Sequence, residues 1–385
     1  MTHPAEAAPP LPLDPAAELP VPLGDPGLDT PAMLIDLDVA EANIAKMAAF
    51  AERSGLRLRP HFKTHKSVEM ARRQLAAGAV GLCVATVTEA QVLATAGLTD
   101  LTLAYPVVGP RKLARLARLA DVCRGVKLTL AADSAEVVDG YQDLAASAGR
   151  TLNVLVEVDT GMHRVGVAPG AVLELARHIG KSPALRFGGI LTHAGHAHDA
   201  SGPLGIERVG RQEAAVMGDI RADLERAGHE VPVVSAGSSL TARYLSAADG
   251  ITEIRPGTYI YNDLRTLTCW SCTSEELAAT MLATVVSADG ERVTIDAGGK
   301  TLTASTDPEF GAGHLLGRPD SAFSRVSEEH GVLTVDGPPE LHVGDRVRIL
   351  PIHVCVWTDL QPEVYGIRRG EVVSRIRVDA FRHSL

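Results

Sequence analysis

Arg59-Pro60-His61-Phe62-Lys63-Thr64-His65-Lys66 crowds cationic and imidazole side chains around one lysine, just after an apolar turn. Such crowding disfavours a further positive charge, so Lys63, if also shielded from water, is expected to have a lowered pKa and a usable free amine. A Schiff-base lysine needs that property. The other reading of a basic octet is a solvated loop, and the flanking sequence has to decide between them.

Working outward, short apolar runs alternate with Ala/Leu-rich helical stretches from Thr30 to about Arg265. Ala32–Ile35 precedes a helical pattern over Val39–Ser54, Gly81–Ala85 precedes Glu89–Ala96, and Leu101–Ala104 precedes Arg111–Leu119. The alternation continues through Lys127–Leu130, Leu152–Val158, Phe187–Leu191, Val231–Val234 and Ile251–Ile254. So many β/α repeats favour an α/β fold built on a closed (β/α)8 barrel over 30–270 rather than an open sheet. In such barrels the chemistry gathers at the C-terminal strand ends. There lie Lys63, Arg164, His193, the loop Ser235–Ser239, and Arg255-Pro256-Gly257. Beyond Leu277 the helical stretches mostly give way to strand-like runs with turns such as Asp289-Gly290, predicting a mainly β C-terminal domain over 271–385. Residues 1–29, with Pro9-Pro10 and Pro20-Val21-Pro22, read as a loose Pro-rich N-terminal arm.

With 385 residues, 45% of them hydrophobic, the chain can bury a large core. A net charge of -10 without a long basic run argues against nucleic acid or an anionic membrane surface as partner and for a small molecule. No apolar run reaches the ~18 residues of a membrane span, and the N-terminus lacks a signal-like apolar core, so the cytoplasm is the expected location. Five scattered cysteines predict reduced thiols. Cys269 and Cys272 have C-x-x-C spacing but no second ligand pair for zinc, and Cys83 and Cys123 sit in apolar surroundings that suit core packing.

Five further segments carry chemistry. Asp159-Thr160-Gly161-Met162-His163-Arg164-Val165-Gly166 follows a valine-rich strand. Ser235-Ala236-Gly237-Ser238-Ser239 and Arg255-Pro256-Gly257-Thr258-Tyr259 are short Gly-containing loops whose amides and hydroxyls could hold a phosphate dianion. Thr192-His193-Ala194-Gly195-His196-Ala197-His198 sets three imidazoles at a strand end, either as a metal cluster or beside a ligand. Pro351-Ile352-His353-Val354-Cys355 reads as a strand, on which residues two apart share a face, so that imidazole and thiolate can bind one ion.

In their order and over about residues 30 to 380, these segments resemble fold-type III pyridoxal-phosphate (PLP) enzymes, in the alanine racemase-like branch that holds D-serine dehydratase and D-threonine aldolase. The resemblance implies that Lys63, in an R-P-H-x-K-T-H-K signature, is the Schiff-base and catalytic lysine, with His61 beside it. It implies that Arg164 approaches the cofactor's phenolic oxygen, where a guanidinium favours the phenolate, and that His193 flanks the cofactor. Gly237, Ser238, Ser239, Gly257, Thr258 and Tyr259 would form the phosphate cup. Either Arg255 or Glu253 would face the pyridine nitrogen; a permanent cation there weakens the electron sink. His353 and Cys355 match the metal pair of the dehydratases, whereas the aldolases more often pair histidine with a carboxylate. The thiolate favours zinc, with manganese or magnesium as alternatives. Ser327-Glu328-Glu329-His330-Gly331 resembles a segment near the domain junction, with His330 as an acid or base, and Asp296 and Lys300 would pair structurally.

The implied activity is that of a PLP- and metal-dependent lyase on β-hydroxy D-amino acids, with D-serine or D-threonine dehydration favoured over the aldolase reaction. The other readings are an amino-acid racemase and a noncatalytic PLP-binding protein. A homodimer is expected.

Overall fold

The computed structural model describes residues 18–122, 125–303, 307, 310–335, 337 and 340–383. Eight parallel strands form one sheet: β1 (Arg57–Leu58), β2 (Leu82–Val84), β3 (Asp100–Leu103), β4 (Lys127–Ala132), β5 (Leu152–Val158), β6 (Leu185–Thr192), β7 (Val233–Ala236) and β8 (Glu253–Ile254). Their spatial order is β1-β8-β7-β6-β5-β4-β3-β2. A parallel bridge between His61 and Cys83, with Cys83 N donating to Pro60 O at 2.8 Å, joins the two end strands and closes the barrel. Helices return between strands, and their starts are capped where the sequence supplies a short polar side chain: Thr86 caps Val87–Thr95 and Ser134 caps Ala135–Ser147. Among the described residues, no helix is long and apolar enough to cross a membrane.

Side chains alternate across each strand. Leu130 and Ala132, then Val154, Val156 and Val158, then Ile190 join one large buried cluster with the surrounding helices. The intervening Ala131, Leu155 and Leu191 form a separate small cluster that fills the barrel. Glu157, two residues beyond Leu155, therefore shares its inward face at the C-terminal end of β5.

A second sheet is built mainly from the C-terminal part. Its long strand Ala279–Asp289 pairs antiparallel with Arg346–Pro351, with Arg292–Ile295 and with Ala32–Asp36. The placement of Ala32–Asp36 corrects its reading as a barrel strand. An apolar run before a helix does not encode which sheet it joins, and here the run also pairs in parallel with Glu363–Arg368, burying Met33, Leu34 and Ile35. The reading of 1–29 as a loose arm also needs correction: residues 1–17 lie outside the described set, but 18–29 are docked. Val21 pairs with Val372, Leu28 is fully buried, and Arg346 donates to the carbonyls of Leu23, Asp25 and Leu28. Cys123 also lies outside the described residues.

Inside the barrel, polar groups run from the bottom toward the C-terminal end. The Arg59 guanidinium, 6% exposed, donates to Asp100 Oδ1 at 2.7 Å and Glu253 Oε2 at 2.8 Å. Ser235 Oγ donates to Glu253 Oε1 at 2.7 Å and accepts from Arg255 Nη1 at 2.6 Å. Arg255 Nη2 reaches Thr192 O at 2.6 Å. Gly81 leaves the space for Arg59, since a Cβ there would stand 2.2 Å from its Nη1. Glu253 is 1% exposed, and removing its cation strands a buried charge. Arg59→Met should therefore lower the unfolding free energy by about 3–5 kcal/mol, measured by denaturant titration; a loss below about 1 kcal/mol would be the surface-pair value and would refute the account.

Candidate active site

The octet leaves β1 and folds into a single 3-10 turn, Phe62–Thr64, capped by His61, whose Nδ1 accepts from Lys63 N at 3.3 Å. Phe62 is fully buried and anchors the turn, so Lys63 projects into a pocket at the C-terminal end of the barrel. His61, Glu157, Arg164, His193, Ser238, Ser239, Arg255, Gly257, Thr258, His353 and Cys355 also line it. The barrel ends and the short segment after Arg346–Pro351 thus meet in one cavity.

The cations act on the imidazoles. Burial first, then the charges of Lys63 and Arg255, hold His61 and His193 well below the usual histidine range, so both are neutral at pH 7. Three basic groups, Lys63, Arg164 and Arg255, line the pocket against one carboxylate, Glu157. Burial pushes the Glu157 carboxyl up to about 7, with Arg255 and Arg164 pulling it back and Asp133 adding to the rise. Its buried Oε2 has no hydrogen-bond partner among the described residues. Arg255 lines the pocket, whereas Glu253 is turned beneath it by Arg59 and Ser235.

Two loops form a cup beside this charge. Gly237 holds φ +79, a conformation that favours glycine, and its N donates to buried Glu213 at 3.0 Å. Ser239 Oγ accepts from Gly257 N at 3.2 Å and Tyr259 N at 3.1 Å, lacing the two loops together. A Cβ on Gly257 would stand 2.9 Å from Thr64 Oγ1, so glycine lets the second loop approach the octet. A small cradle with hydroxyls and amides, next to surplus positive charge, fits a phosphorylated anionic cofactor whose carbonyl carbon can reach a lysine.

The segment with His353 and Cys355 corrects its reading as a strand. His353 is the extended N-cap of the helix Val354–Asp359, and Cys355 lies in its first turn. The β-branched Val354 and Val356 suggest a strand by propensity, but burial of Val354 and Trp357 overrides it. The two side chains still meet. Burial would raise the Cys355 thiol, yet the hydrogen bond and charge of His353, with Lys63 and Thr64, hold it below its ordinary range. The hydrogen bond to Cys355 raises His353 against the effect of burial, aided by Asp263. An imidazole beside a thiol inclined to ionise suits a borderline-soft divalent cation. Among the described residues no third His, Cys, Asp or Glu completes a larger metal cluster.

Several expected residues fall elsewhere. Tyr259 is buried, its hydroxyl accepting from Gln74 Nε2 at 2.9 Å, and neither it nor Gly237 lines the pocket. His330 is exposed on the turn between Ser321–Val326 and Gly331–Val335 and does not line this pocket of its own chain, because the turn closes on itself through Ser327 N to His330 O at 2.9 Å. Lys300 pairs with Glu329 rather than Asp296, whose carboxylate takes Thr284 N and the Thr30 hydroxyl. His198 lines the rim, and His196 does not reach the pocket. Glu157, Ala104, Leu240 and Thr266 were missed. The lone charge in the otherwise uncharged strand β5 was the available signal for Glu157.

Residues 35–264 match the family model for the alanine racemase N-terminal domain, and residues 278–367 match a putative serine dehydratase domain. The chain is 38% identical over 351 residues to D-threo-3-hydroxyaspartate dehydratase of Delftia sp. (strain HT23), covering 85% of this chain and 91% of that one. D-threonine aldolase from Filomicrobium marinum superposes with a TM-score of 0.87 at 29% identity, covering 96% of this chain and all of that one. A cysteine-to-alanine mutant of D-threo-3-hydroxyaspartate dehydratase in the metal-free form superposes with a TM-score of 0.83 at 33% identity, covering 91% and 97%.

The Glu157 environment makes a pH prediction for the cofactor-free protein. A carboxyl raised from 4.5 to about 7 contributes stability that is fully present below about pH 4.5 and lost as pH rises through about 7. Thermal melts of the wild type should lose more stability across this window than those of Glu157→Gln; parallel curves would contradict the assignment.

Proposed function

Because the chain belongs to the family of fold-type III PLP lyases that includes the D-serine dehydratases and D-threonine aldolases, and is an enzyme of that class, we propose that it dehydrates β-hydroxy D-amino acids to 2-oxo acids and ammonia. The observation that carries this reading is the convergence of Lys63 with the His353–Cys355 pair in one pocket. An α-amino group near Lys63 would set its β-substituent toward the second domain, where an imidazole and a thiol can hold a cation.

PLP bound in the cup would supply an electron sink for the pair left when the α-proton departs. Lys63 is the pocket amine able to take that proton. Ser238, Ser239, Gly257 and Thr258 would hold the cofactor's phosphate, Arg164 its phenolic oxygen, and Arg255 would face its ring nitrogen. Neutral His61 and His193 would flank the ring without adding charge. A divalent metal, zinc by preference and manganese or magnesium otherwise, would be held by His353 and Cys355 and would supply Lewis acidity toward the departing hydroxyl. A homodimer completes the proposal, supported by large apolar side chains left exposed, among them Tyr105, Val108, Leu204 and Trp270.

Lys63→Ala should remove the visible absorbance of the holoenzyme and lower turnover by about a thousandfold or more while the fold persists, checked by absorbance, rate and circular dichroism. D-serine, D-threonine and D-threo-3-hydroxyaspartate form the substrate panel. Ammonia with a 2-oxo acid is the expected outcome. Glycine with an aldehyde would replace the dehydratase reading with the aldolase one, and a change of configuration alone would indicate a racemase.

A further inference from the structure

The helix Val354–Asp359, which carries Cys355, is gripped at both ends by side chains from outside the C-terminal sheet. His353 is its N-cap, but the imidazole makes no cap hydrogen bond and is turned to the thiol instead. The vacant capping role falls to Asp263. Its Oδ2 accepts from Val354 N at 3.1 Å, while its Oδ1 accepts from Thr266 N at 2.9 Å and so caps Leu264–Thr268. Asp263 is 1% exposed and serves two helices with one carboxylate.

At the other end, Asp359 Oδ1 accepts from Lys66 Nζ at 2.5 Å and from Arg382 N at 3.0 Å. Lys66 stands three residues after Lys63, is 6% exposed, and has a second carboxylate, Glu89, at 3.7 Å. Its φ of +49 is in the left-handed region, which a lysine occupies at a conformational cost. Its backbone is held there by N to Phe62 O at 2.9 Å and by Ala380 N to its carbonyl at 3.1 Å. Between these grips, Cys355 Sγ lies 3.3 Å from Thr64 Oγ1, beside Lys63.

We propose that Lys66 and Asp263 are positioning residues that fix the His353–Cys355 pair relative to Lys63. Neither of them lines the pocket. They act through the helix: Asp263 frees the His353 imidazole from capping, and Lys66 ties the far end of the helix to the turn that presents Lys63. The strained backbone of Lys66 is the cost of aiming a side chain away from the pocket three residues after one that points into it. This inference rests on the reading of His353 and Cys355 as a metal pair, and its test separates the two.

Zinc affinity is measured by chelator competition on holoenzymes whose PLP content is quantified in parallel. Cys355→Ser tests the metal pair itself. Lys66→Met and Asp263→Ala test the grips, with the near-isosteric Asp359→Asn and Asp263→Asn as milder variants should either fail to fold. Loss of an outer partner should weaken zinc by about tenfold or more, with PLP content unchanged, and Lys66→Arg should restore most of the affinity that Lys66→Met loses. If Cys355→Ser abolishes zinc binding while the grip variants bind it as the wild type does, the positioning role is overturned. If Cys355→Ser itself retains wild-type affinity, the metal reading falls and this inference falls with it. A grip variant that loses PLP and zinc together contradicts the proposal, since the effect would then be general.

Discussion

The buried ion pair between Arg59 and Glu253 determines how charge is distributed in this molecule. By engaging Glu253 from below, with Ser235 on its other oxygen, Arg59 removes the carboxylate two residues before Arg255. Arg255 is then held by neutral acceptors, Ser235 Oγ and Thr192 O. Its positive charge remains for the pocket, where it helps to keep His61 and His193 neutral and lowers Glu157 only part of the way back from the effect of burial. A pocket so charged favours an anionic ligand, and a cation opposite a pyridine nitrogen would keep it unprotonated. The electron sink would then be weaker, which would suit the metal proposed at His353 and Cys355.

The second constraint is mechanical, and it starts from the same octet. Pro60 and His61 close the barrel against Cys83, Phe62 anchors the turn, Thr64 touches Cys355, and Lys66 reaches Asp359. One stretch of chain thereby sets the position of the lysine amine with respect to both the cup and the segment bearing His353. Buried polar contacts of this kind are costly to leave unmade, so the relative placement of barrel and C-terminal sheet is specified by bonds rather than by apolar contact alone.

Much of this was legible in the sequence. The β/α rhythm pointed to the barrel, because alternating apolar runs and helical stretches encode it, while most of the pocket's lining came from the resemblance that the octet and the ordered loops carry. Pairing partners were less visible. Ala32–Asp36 has the pattern of a buried strand in either sheet, and only its register with Met281 and Tyr365 assigns it. Val354–Trp357 is strand-like by propensity and helical by packing. His330 and Lys300 lie away from this pocket for a different reason: both sit on surface turns, the first closed through the His330 carbonyl and the second with Lys300 paired to Glu329. Glu157 escaped notice because an inward charge on a strand looks like an exception to the apolar pattern until the barrel closes around it.

The claim on which everything else depends is that Lys63 is the residue that binds the cofactor covalently. Borohydride reduction of the PLP-loaded enzyme followed by peptide mapping by mass spectrometry tests it directly. A pyridoxyl group is expected on the peptide containing Lys63, localised to that side chain by fragmentation; the group on Lys66, Lys300 or any other lysine would contradict this assignment.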